Sequence, residues 1–204
     1  MKKIFFSILL GEILFLSIVS SAWEDDVINE VIQPSIASKI LRFHVLANSD
    51  AAEDQSVKEE VRDAVGGYLQ PFLNDADNME ETKQIVNENM DGIIQTAENT
   101  LQENGYDYEV QAHIVRTNFP EKSYGPYTFP SGEYEALQIV IGEGKGQNWW
   151  CVLYPNMCFR GAVFEVIEED AKEVLREVLN PWEYAKVFDS GKTEVRFKFL
   201  ELFR

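Results

Sequence analysis

A chain of 204 residues with 35 acidic against 18 basic side chains carries a formal net charge of -17, which excludes a nucleic-acid binder working through a general basic surface. At 45% hydrophobic and 12% aromatic residues it can bury a core, so global disorder is excluded, and one domain is the default at this length. Two cysteines and two histidines cannot form a four-thiolate zinc cage or a histidine-rich metal centre.

Met1-Lys2-Lys3, the apolar run Ile4 to Val19 and the small residues Ser20-Ser21-Ala22 are the three parts of a secretory signal. Gly11-Glu12 interrupts the run, which favours a cleaved signal over a permanent membrane anchor. Cleavage after Ala22 leaves 182 residues with 34 acidic and 16 basic side chains, a net charge near -18. That charge implies solubility and repulsion from anionic surfaces. The expected organisation is 1–22 signal, 23–40 tether and 41–204 a single domain, with Pro34 breaking any helix in the tether.

Leu41 to Leu46 alternates apolar with polar residues and predicts a half-buried strand. Asp50 and Glu53 have capping-box spacing, and Val57, Val61, Val65, Leu69 and Phe72 mark the apolar face of the following helix. Gly66-Gly67 weakens its last turns and Pro71 predicts its end. One further helix is predicted from Asn78 to Asn104-Gly105, on the stripe Val86, Met90, Ile93, Ile94, Ala97, Leu101.

The period then switches to two. Tyr106 to Ile114 predicts a strand, Phe119 to Gly132 an ordered loop or short strand, and Tyr134–Ile141 with Trp149–Tyr154 a β-hairpin around a glycine-rich loop. Glu165 to Leu179 predicts a helix stopped by Asn180-Pro181, and Val195 to Phe199 a terminal strand. The expected fold is α+β: one mainly antiparallel sheet, two to three helices on one face, and a signal peptide in front.

Gly142-Glu143-Gly144-Lys145-Gly146 is no phosphate loop, because no Gly-Lys-[Ser/Thr] follows and the next element is a strand. Cys151 and Cys158 are spaced as a small disulfide loop in an exported chain. Buried free thiols, or a nucleophilic Cys151 served by His44 or His113, are the alternatives. Glu80-Glu81, Glu133, Glu135 and Glu168-Glu169-Asp170 offer carboxylates for glycoside cleavage, although acids this abundant pair by chance. Trp149 and Trp150 must point to opposite faces of their strand, and an exposed indole there would suit a partner protein.

Two blocks carry a resemblance. Leu41-Arg42-Phe43-His44-Val45-Leu46-Ala47-Asn48-Ser49-Asp50, with Asp54-Gln55 and Val57-Lys58 through Val65, is similar to the opening block of the stage II sporulation protein R family. Tyr124-Gly125, Phe129 to Leu137, and Ile141-Gly142-Glu143-Gly144-Lys145-Gly146-Gln147-Asn148-Trp149-Trp150-Cys151 through Pro155, with Cys158-Phe159, resembles its second block.

The resemblance implies a non-enzymatic signalling protein of endospore formation, exported into the space between forespore and mother-cell membranes. There it would activate a membrane-embedded aspartic peptidase that matures the sigma-E precursor. It implies no cofactor, no nucleic acid and no small-molecule substrate, and membrane contact only through the partner or an uncleaved signal. The competing reading is a secreted hydrolase of cell-wall material using Cys151 or a carboxylate pair. Candidate partner-binding residues are His44, Asn48 and Asp50 at the strand end, and Glu143, Lys145, Asn148, Trp149 and Trp150 around the glycine loop.

Overall fold

Strand β1 (Leu41–Leu46) is buried along five of its six residues, as a strand inside a sheet must be. In the computed structural model, which describes residues 28–74, 76–157 and 169–188, it is preceded by a π-helical turn (Ile28–Ile32) and α1 (Gln33–Ala37). Then follow α2 (Ala52–Leu73), α3 (Met79–Glu88), α4 (Met90–Glu103), β2 (Val110–Phe119), β3 (Lys122–Tyr124) and β4 (Tyr127–Phe129). The remaining elements are β5 (Gly132–Ile141), β6 (Asn148–Tyr154), α5 (Glu169–Val178) and α6 (Pro181–Phe188). The predicted signal, the start of the helix at 165–168, Cys158 and the terminal strand lie outside the described residues.

The main sheet has the order β2-β5-β1-β6, and β3 and β4 form a separate two-stranded ribbon. β1 runs parallel to β5, with Phe43 beside Leu137, and antiparallel to β6, with Phe43 beside Cys151. The sheet is therefore mixed, with two of its three pairings antiparallel, and the expected β5–β6 hairpin does not form. β1 lies between those two strands, which are two inter-strand spacings apart, roughly 10 Å. Residues 142–147 bridge that gap across the end of β1.

Both sheet faces are covered, where one was expected. On the first, Leu41, Phe43, Val45, Leu137, Ile139 and Ile141 meet Val57, Val61, Val65 and Leu69 of α2, Val86 of α3, and Ile93, Ala97 and Leu101 of α4. Each α2 valine and leucine in this set is at most 2% exposed, so each contributes about 1.5–3 kcal/mol by leaving water. On the second, Ala136, Tyr134, Val152 and Phe119 meet Ile36 and Ile40 beside α1, Tyr127 and Phe129 of β4, Leu175 and Leu179 around α5, and Val187 of α6.

Local structure departs from the sequence expectation in identifiable ways. Pro34 occupies the first turn of α1, directly after the π-helical turn, and the helical run continues through it rather than breaking. The Asp50–Glu53 capping box does not form, since the N-cap of α2 is Ala51 with no side-chain bond. α2 continues through Gly66-Gly67 and Pro71 to Leu73, because Pro71 falls in its last turn and the bond it forfeits would have gone to Gly67, on the exposed side.

The predicted second helix is two. Asn78 caps α3 through a bond from the Glu81 N–H at 2.9 Å, but Asn89 breaks the run. Its side-chain amide turns back to the Ile85 carbonyl at 2.8 Å and its oxygen accepts from the Tyr68 hydroxyl at 3.2 Å. Gly105, at φ 82, ends α4 in the left-handed conformation expected of it. β2 starts later than predicted, at Val110. α5 ends at Val178, just before Asn180-Pro181 as expected, and the same pair opens α6, the Asn180 side chain accepting from the N–H groups of Trp182 and Glu183 at 2.9 and 3.0 Å.

Candidate functional site at the end of strand β1

Alternation along β1 sends Phe43 to one face and Arg42 and His44 to the other. Past Leu46 the chain turns through Ala47–Asp50 into α2, and the 142–147 loop closes over this corner. The Lys145 N–H donates to the Asn48 carbonyl at 3.1 Å and the Gly146 N–H to the Ala47 carbonyl at 2.9 Å. A Cβ on Gly146 would stand 2.1 Å from the Ser49 carbonyl oxygen, so the close backbone approach requires glycine. Gly142, at φ 57, brings the Glu143 N–H within 3.0 Å of the Asn48 side-chain oxygen.

Asp54 holds the other side of the corner. Its carboxylate accepts from the Ser49 hydroxyl at 2.6 Å, the Asn48 amide at 2.9 Å and the Tyr108 hydroxyl at 3.0 Å. These bonds, Ser49's foremost, hold the carboxyl below its ordinary pKa against the opposing effect of burial. Lys58, 5% exposed, donates to the Gln55 side chain at 2.6 Å and the Gln147 carbonyl at 3.1 Å, and burial lowers its pKa. Strand end, helix start and glycine loop are thus cross-tied by side chains as well as backbone.

On the second face, Arg42 is fully buried. Its Nε donates to the Cys151 carbonyl at 2.9 Å and Nη2 to the Tyr124 hydroxyl at 3.0 Å, while Nη1 has no hydrogen-bond partner among the described residues. Four rings surround the guanidinium: Phe119 at 4.4 Å, Tyr134 at 5.0 Å, Phe129 at 5.5 Å and Tyr124 at 5.7 Å. The quadrupoles of these rings take the role a carboxylate would otherwise fill, and burial still lowers the pKa of Arg42.

His44 lies one pleat further along the same face, 2% exposed. It stacks on Trp150 with centroids 5.1 Å apart and planes 4° from parallel, meets the edge of Phe119 at 5.2 Å, and receives the Gln138 amide on Nε2 at 3.1 Å. Burial, and then the charge of Arg42, pull its pKa down to about 4, so the ring is neutral at physiological pH. The β2 and β6 rings bury it. His113, by contrast, is exposed on β2.

All eight sequence candidates meet at this corner, but they face different ways. Trp149 and Trp150 point to opposite faces, each half-buried, Trp149 lying edge-on to Phe43 at 5.5 Å and beneath the Arg62 guanidinium at 5.1 Å. His44 and Asn48 are committed to internal contacts, and Asn148 is half-buried beside Leu46. Asp50 and the Glu143–Lys145 pair, bonded at 2.7 Å, face solvent.

Of the groups weighed for hydrolysis, Cys151 is 3% exposed and is not a free thiol. Glu80 and Glu135 are bridged by Lys83 at 3.2 and 2.9 Å. Sequence reasoning missed Arg42 and Asp54; a cation inside an apolar strand and an acid in the first turn of a helix were the available signals.

The sequence profile described as Stage II sporulation protein R matches residues 37–163, which include both blocks and every residue of this corner. The curated Stage II sporulation protein R of Bacillus subtilis (strain 168) is 33% identical over 180 residues, covering 81% of this chain and 80% of that protein. No solved structure matches.

Proposed function

Because the chain belongs to the stage II sporulation protein R family, we propose that it is a signalling protein of sporulation that works by contact rather than by catalysis. In this reading it is exported between the forespore and mother-cell membranes and activates a membrane-embedded aspartic peptidase that matures the sigma-E precursor. The observation that supports it is the convergence of two blocks, some 95 residues apart in sequence, on one rigid corner with Asp50, Glu143 and Lys145 turned outward.

An activator shifts its target only by binding the active state more tightly than the inactive one. Moving a 1:99 equilibrium to 99:1 requires about a 10⁴-fold difference in affinity. A cross-tied corner suits that demand, because little ordering entropy is lost when it docks.

We further assign Cys151 to a disulfide with Cys158, which would close the chain beyond β6 and stabilise it by about 2–3 kcal/mol. The test of function is co-expression of the chain, the peptidase and the sigma precursor in a non-sporulating host. Processing that depends on the chain supports the reading, and processing that proceeds equally without it removes the reading.

A further inference from the structure

Four large apolar side chains stand out of the fold among the described residues: Trp182 at 82% exposure, Val31 at 63%, Phe188 at 50% and Phe72 at 44%. Three of them lie on or next to α1 and α6, two helices that are fastened to each other. Val31 leads into α1, and Trp182 and Phe188 lie on α6, while buried Glu183 accepts from Ser35 and from Lys39 at 2.6 Å and so fastens the two helices together. Tyr127 and Tyr184 pack against Phe188 at 5.6 and 5.9 Å, so that ring stands on an aromatic base.

The charge of the chain is unevenly placed. Helices α2, α3 and α4 carry 11 acidic and 3 basic residues, a net of -8. The segment Ile28–Lys39 with α6 carries Glu30, Lys39, Glu183 and Lys186, a net of zero, α5 beside them adds -2, and Glu24, Asp25 and Asp26 precede Ile28 in the sequence. The acidic layer and the apolar patch pack on opposite faces of the sheet. Their outer surfaces are separated by more than about 20 Å, against a Debye length of about 8 Å at physiological ionic strength. An anionic surface approaching the α1–α6 side is therefore screened from the net -8 of α2–α4.

Chain length points the same way. The apolar run ends at Val19, and eight residues separate it from Ile28, a reach of at most about 28 Å. While that run is in a membrane, the α1–α6 side is the part of the domain held nearest the lipid. Tryptophan and phenylalanine with flanking lysine are the side chains that settle at a bilayer interface.

We propose that the α1–α6 face, centred on Trp182, docks on the surface of a lipid bilayer, giving the folded domain a membrane contact of its own beyond the apolar run. The proposal does not depend on which protein the chain activates.

The test uses the full chain reconstituted in phosphatidylcholine–phosphatidylglycerol vesicles with and without brominated acyl chains, as wild type and Trp182→Phe. Subtracting the spectra isolates Trp182 from the other three tryptophans, and the exposed position tolerates the change. Brominated lipid is expected to reduce the Trp182 emission at least twofold. Equal emission in both vesicles overturns the proposal. So does Trp182 shielding that appears only when the peptidase is co-reconstituted, which makes the patch a protein-docking surface, or only as chain concentration rises, which makes it a self-association surface.

Discussion

Replacing His44 by glutamine should remove an acid-sensitive component of stability whose size follows from its surroundings. The ring is 2% exposed, stacked on Trp150 and next along the strand face to the Arg42 cation, and its pKa falls from 6.5 to about 4. Since the folded value is depressed, the unfolded chain takes up the proton first as pH falls. His44 withdraws nothing above pH 6.5 and progressively more between 6.5 and about 4. At 1.36 kcal/mol per unit the withdrawal reaches about 3 kcal/mol at the lower end.

The acids whose pKa values are lowered act in a different window. Asp54, held down by Ser49, and Glu183, where the Lys39 and Ser35 bonds outweigh desolvation, lose their contribution only as pH falls below their ordinary values of 3.8 and 4.5. Urea unfolding of wild type and His44→Gln from pH 7.5 to 4 separates the effects. The wild-type advantage should shrink by about 3 kcal/mol across that range. A difference that stays constant with pH would refute the buried, neutral histidine.

Glycine substitutions give opposite outcomes at two positions, read from thermal melts. Gly67→Ala, with no atom within 4 Å of the new Cβ in the middle of α2, should stabilise by about 1 kcal/mol, whereas Gly146→Ala must push the loop off the Ser49 carbonyl and lower the melting temperature. Reversing both exposed charges, Glu143→Lys with Lys145→Glu, should leave the melting temperature unchanged but reduce sigma-precursor processing if the corner contacts the peptidase. Cys151→Ser with Cys158→Ser should lower the melting temperature while processing by the folded variant persists, whereas a thiol enzyme would lose all activity.

The sequence shows strand β1 clearly, because alternation from Leu41 to Leu46 is a local signal, but not what lies beside it. Sheet neighbours are chosen by contacts such as Phe43 with Leu137 and Cys151, roughly a hundred residues distant, and two strands flanking a glycine loop look alike whether they pair or straddle a third. The break between α3 and α4 is invisible for a related reason. The apolar stripe runs through it unbroken, and what interrupts the helix is Tyr68 of α2, bonded to Asn89 and pressed against Gly92.

At the site, the glycines signalled a loop with special backbone geometry, yet not that the loop is a clasp. Arg42 looked like an ordinary polar position on a strand. Only the fold brings four rings from β2, β3, β4 and β5 around it.

The most direct measurement of the signalling claim places the peptidase and the sigma precursor in sealed vesicles and adds the chain lacking residues 1–22 to the side that represents the intermembrane space. The account predicts that precursor cleavage rises with added chain, saturates, and still requires the peptidase's own catalytic aspartate. Cleavage at the same rate without the chain, or cleavage by the chain in vesicles lacking the peptidase, would contradict it.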